Sequence, residues 1–154
     1  MADLRRRAIL LGVLLVGGSV LLAAQSNERI DQLLTQDPAQ LGHTAYLVLS
    51  AAGTIDEDVS PAEAVAAAKN AGLLPAGARV DTPTRFGDFA YLLTGSFGVP
   101  GGVMYRLVPG PRYAAREVVF QGWSRTRRSA GEIISGDVVA RVLSVYLNEE
   151  GGER

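Results

Sequence analysis

One stretch of this chain occurs more than once. Gly42-His43-Thr44-Ala45-Tyr46-Leu47-Val48-Leu49-Ser50-Ala51-Ala52-Gly53 aligns without gaps on Gly87-Asp88-Phe89-Ala90-Tyr91-Leu92-Leu93-Thr94-Gly95-Ser96-Phe97-Gly98. Gly, Ala, Tyr, Leu and the closing Gly coincide. A weaker third copy runs Gly136-Asp137-Val138-Val139-Ala140-Arg141-Val142-Leu143-Ser144-Val145-Tyr146-Leu147, giving separations of 45 and 49 residues. A period of that length predicts one helical hairpin per unit, with neighbouring units burying one another's apolar faces.

A further helix is readable ahead of each copy. Ser60-Pro61-Ala62-Glu63 is a capping box with proline at the first helical position, Ala64 to Ala71 supplies strong helix formers, and Gly72 is a C-cap. Pro111 opens a helix over Arg112 to Gln121 that Gly122 ends, with Tyr113, Glu117 and Phe120 on one face. In the first unit Ser26 or Asn27 caps Glu28 to Thr35. The connecting stretches are rich in Gly and Pro, and Met104 to Val108 suits a brief strand. Six short helices in three pairs result.

Upstream, Arg5, Arg6 and Arg7 precede 17 uncharged residues, 8–24, and Ala24-Gln25-Ser26 offers small residues at the −3 and −1 positions of a cleavage site. These are the parts of a secretory signal, with the arginines held on the cytoplasmic side. An uncleaved anchor is the rival, although 17 helical residues span only about 25 Å of a hydrocarbon core of about 30 Å. A buried core helix is the third reading. Either of the first two predicts an extracytoplasmic body, at the cell surface or in the periplasm, whose membrane contact runs only through residues 8–24. Residues 27–150 then form the repeat domain, and 151–154 a disordered tail. With no cysteine in the chain, disulfides, thiolate metal sites and cysteine nucleophiles are excluded.

The formal net charge of −1 conceals an uneven distribution. Between residues 105 and 130 stand Arg106, Arg112, Arg116, Arg125, Arg127 and Arg128 against Glu117 alone. Tyr105, Tyr113, Phe120 and Trp123 are interleaved with them. Guanidinium forks suit carboxylate and phosphate, while aromatic faces stack on sugar rings. The competing reading puts Tyr113, Phe120 and Trp123 in the core and leaves the arginines solvated. Nucleic acid fits the chemistry but not the expected compartment.

Asp56-Glu57-Asp58 lacks the spacing of a calcium loop and precedes a helix N-terminus, where carboxylates are favoured. His43, the one histidine, cannot by itself assemble a zinc site or a catalytic triad. No nucleophile elbow, P-loop or dinucleotide fingerprint is present, so neither an enzyme nor a cofactor is expected.

The run Asp58-Val59-Ser60-Pro61-Ala62-Glu63-Ala64-Val65, then Asn70-Ala71-Gly72-Leu73-Leu74-Pro75, then Thr82-Pro83-Thr84-Arg85-Phe86-Gly87-Asp88-Phe89-Ala90 resembles an S-layer homology (SLH) domain. The resemblance covers 56–99, is partial over 109–148, and over 37–54 extends only to the second helix. It implies an all-α fold of three helix-loop-helix units (27–54, 56–99 and 109–148) in a compact pseudo-threefold bundle preceded by the N-terminal hydrophobic helix. It also implies grooves for anionic cell-wall glycan, with Arg85 and Asp88 at the motif positions. With Phe89-Ala90 as anchor, Arg85 falls one position early, and Leu41 and Ser135 occupy the arginine position elsewhere. The expected ligand set is therefore Arg85, Asp88, Tyr105, Arg112, Arg116, Trp123, Arg125, Arg127 and Arg128. The expected partner is anionic envelope polysaccharide or peptidoglycan. A protein-interaction module of the envelope that has lost glycan binding is the alternative.

Overall fold

The structure, a computed structural model, describes residues 28–152, so the expected leader lies outside the described residues. All regular structure among them is helical. The helices are α1 (28–34), α2 (Leu41–Ala51), α3 (Pro61–Asn70), α4 (Phe86–Ser96), α5 (Val103–Leu107), α6 (Pro111–Phe120) and α7 (Gly136–Gly152).

Local sequence explains most helix boundaries. Ser60 accepts the Glu63 amide, and the Glu63 carboxylate accepts the Ser60 amide at 2.8 Å, so both halves of the α3 capping box form. The Ser60 hydroxyl, donating to the Glu63 carboxylate at 2.6 Å, and then the Ser60 amide lower the Glu63 carboxyl pKa from its ordinary value. The glycines after α2, α3, α4 and α6 all take positive φ, the backbone a helix C-terminus asks of them.

Helix α4 is the centre of the core. Phe86, Phe89, Ala90, Leu92 and Leu93 are completely buried, and burying each large side chain contributes about 1.5–3 kcal/mol. Helix α4 packs most extensively against α6, and α2 against α3. Close packing thus joins the second helix of one expected unit to the first helix of the next. Helix α7 contributes Val139, Val142, Leu143 and Tyr146, the i, i+3, i+4, i+7 stripe of an amphipathic helix.

The segments leading into α2, α4 and α7 meet inside the core. The Ala39 amide donates to the Ile134 carbonyl (2.9 Å), the Ile134 amide to Thr84 (3.1 Å), and the Thr84 amide to Ala39 (2.8 Å). Three backbone hydrogen bonds therefore close a ring. Buried backbone polar groups must find partners, and Ala39, Thr84 and Ile134 are all at most 2% exposed. Side chains support the ring, with Thr44 and Thr84 sharing a buried hydroxyl–hydroxyl bond of 3.0 Å. Two residues further on, the amides of Leu41, Phe86 and Gly136 reach the carbonyls of Thr82, Glu132 and Gln36.

That crossing accounts for the recurring glycines. A Cβ on Gly87 would stand 2.9 Å from the Ala130 carbonyl and 3.1 Å from that of Pro111, and one on Gly136 would collide with the backbone of Leu33.

Several expectations need correcting. Residues 104–108 form no strand, because Met104 to Leu107 belong to α5. The third repeat is displaced by one residue: α2, α4 and α7 begin at Leu41, Phe86 and Gly136, so Gly136 takes the place of Phe86 rather than Gly87. Phe120 does not lie on a buried face but is 84% exposed. Helix α7 continues to Gly152, two residues into the expected tail.

Candidate functional site

Seven of the nine candidate residues fall into three places, while Arg112 and Arg127 stand exposed outside them. Arg85 is the N-cap of α4 and is exposed, paired through backbone with Ile133. Asp88, one turn on, is half-buried, and burial raises its carboxyl pKa while neighbouring Arg85 opposes the rise.

The second place is a groove of about 360 Å³ between α5 and α6, where Tyr105 and Arg116 meet Tyr113 and Phe120. The Tyr105 hydroxyl shares a 2.9 Å bond with Thr94, and its ring meets Tyr91 edge-on at 6.4 Å. Its burial pushes the phenol pKa up. Arg116 lies over the Tyr113 ring at 5.7 Å. Glu117, the lone acidic residue of the basic stretch, is turned inward. It accepts the Gly102 amide at 3.0 Å and the Gln121 amide group at 2.9 Å. Arg112 is exposed and lines neither this groove nor the next.

The third place is a notch of about 30 Å³ where the chain after α6 crosses α7, bringing Trp123, Ser124, Arg125 and Arg128 against Arg141 and Val142. Trp123 forms one wall. It is 7% exposed, lies edge-on to Tyr146 at 4.8 Å, and donates its indole N–H to Glu149 at 2.6 Å. The Ser124 hydroxyl donates to the Thr126 carbonyl, fixing the turn. Arg128 pairs with Glu132 and Arg141 with Asp137. Arg125 and Arg127 are exposed and have no ion pair or hydrogen bond among the described residues. The notch has room for about one or two water-sized groups.

Two contributors escaped the sequence reading. Arg141 was legible in principle, four residues after Asp137 on one helix face. Arg29 was not, because its partners are distant in sequence. Its guanidinium donates to the carbonyls of Glu57 and Val59 and sits 4.7 Å above the Tyr46 ring. This clamp fixes the Asp56-Glu57-Asp58 loop ahead of α3. His43 bonds Gln36 at 3.1 Å, and burial, assisted by Arg29, lowers its pKa. Among the described residues no group of three His, Cys, Asp or Glu side chains could hold a metal ion.

No protein-family profile, curated protein or solved structure matches this chain.

Proposed function

We propose that the chain is an exported, non-enzymatic SLH-like module of the cell envelope, built of three repeats about a pseudo-threefold axis. It binds anionic cell-wall polymer, polysaccharide or peptidoglycan, and the closed ring through Ala39, Thr84 and Ile134 supports the three-part architecture. The observation that carries the binding reading is the notch beside Trp123. Arg125, which has no ion pair, stands there with the paired Arg128 and Arg141 beside a buried aromatic wall, and Arg127 follows two residues on, exposed and likewise without an ion pair. An acidic substituent would take the guanidinium forks, while the polymer backbone would lie along the rim.

Co-sedimentation with purified peptidoglycan and with wall polysaccharide tests this. Binding should fall as salt rises, and the combined Arg125→Ala, Arg127→Ala and Arg128→Ala variant should bind at least about tenfold more weakly. Binding that ignores both salt and these substitutions sinks the reading.

A second reading, an envelope protein-interaction module without glycan binding, is favoured by Phe86. That side chain stands where the SLH motif calls for arginine and is completely buried. This reading predicts a defined crosslinked partner in intact envelopes and indifference to glycans.

A further inference from the structure

The α5–α6 groove belongs to an unusual surface. Val103, Met104, Leu107 and Val108 are 73%, 54%, 70% and 55% exposed, and Phe120 across the groove is 84% exposed. Contiguous apolar exposure of this kind marks an interaction surface in a folded domain. Arg116 lines the groove, Arg106 lies on α5 with its Nε donating to the Gly101 carbonyl, and Arg112 lies one turn before Arg116 on α6. All three are exposed and none forms an ion pair among the described residues. Glu117, the carboxylate among the groove's lining residues, is already satisfied by Gly102 and Gln121. Helices α5 and α6 therefore present exposed hydrocarbon together with three arginines that have no ion pair.

We propose that this face docks on an anionic phospholipid bilayer. Charge complementarity selects the negative partner. The aliphatic side chains select one that also offers hydrocarbon, which a hydrated glycan does not. Apolar residues sunk into the headgroup boundary with arginines at the phosphates is the usual form of interfacial binding. The uncharged run 8–24 ends only a few residues ahead of α1, so a bilayer that takes it up lies within reach of the body. Membrane contact then extends beyond residues 8–24, on a surface distinct from the notch beside Trp123.

The chain has no cysteine, so a single label reports position cleanly. Full-length protein carrying Leu107→Cys, or Ala66→Cys on exposed α3 as control, is labelled with a polarity-sensitive dye. It is then reconstituted into vesicles of phosphatidylcholine with or without phosphatidylglycerol. Acrylamide quenching should be suppressed at position 107 only when phosphatidylglycerol is present, and never at position 66. Replacing Arg106, Arg112 and Arg116 by Glu should restore quenching, each arginine contributing about fivefold to partitioning, while a single cooperative thermal melt is retained. Equal quenching at 107 in both lipids overturns the proposal, as does equal shielding in both. Shielding that grows with protein density in phosphatidylcholine alone would assign the face to a second copy and also overturn it.

Discussion

The interior where α2, α4 and α7 begin and the rim formed by α5 and α6 carry similar side chains to opposite ends. At the interior, Phe86, Phe89 and Ile134 are at most 2% exposed, and every ring amide has a carbonyl partner. At the rim, Val103, Leu107 and Phe120 stand mostly in water. Chain connection accounts for the difference. Residues 52–60 suffice to link α2 to α3, whereas 97–110 link α4 to α6, and the additional chain folds as α5. That insertion has no counterpart in the other link and no position in the ring, and apart from Tyr105, which packs against Tyr91, its large apolar side chains Val103, Met104 and Leu107 stay exposed. The segments joined by the backbone ring organise the core here, and the extra chain between α4 and α6 organises the outer surface.

The contrast is most severely tested at Gly136. An added Cβ meets the Leu33 backbone, which has no rotamer with which to yield, so Gly136→Ala should destabilise by about 3 kcal/mol in denaturant unfolding. Wild-type stability would mean that the α1–α7 crossing is looser than described. Thr84→Val preserves shape but strands the Thr44 hydroxyl, and a loss of about 1–2 kcal/mol is expected.

A smaller effect is expected at His43. Its folded pKa lies below the ordinary value near 6.5, so as pH falls below about 6.5 the unfolded chain takes up a proton that the folded chain resists. The stability contribution is complete above that pH and declines below it. His43→Gln should flatten this part of the stability–pH curve, whereas an unchanged curve would assign the dependence elsewhere. The smallest effect belongs to the rim. Phe120→Ser should change stability by no more than about 0.5 kcal/mol, since the side chain is already in water. A loss several times larger would erase the distinction between the two regions.

The division also governs what the sequence made legible. The Ser60–Glu63 capping box is a contiguous signal, readable without knowledge of the fold, and it forms; Gly72 ends α3 from one place further on, at positive φ just after the C-cap Ala71. The all-helical class follows from the repeated stretches at α2 and α4. The third register slipped because Gly136 invited alignment with Gly42 and Gly87. Its glycine in fact answers to close approach by Leu33, one position earlier in the helix. Helix α5 is too short for periodicity to distinguish from a strand. Spacing correctly placed Tyr113, Glu117 and Phe120 on one side of α6, but only tertiary contacts decide that this side lines a groove. The basic character of 105–130 was legible too. Its division among the α5–α6 groove, the notch and the exposed Arg112 depends on how the chain crosses α7.

Amide hydrogen exchange at Ala39, Thr84 and Ile134 tests the closed ring most directly. Bonded to one another in sequence 39 to 134 to 84 to 39, the three amides should exchange slowly, at one common opening free energy equal to that of global unfolding. Fast exchange at any one of them, or three unrelated opening energies, would contradict the account.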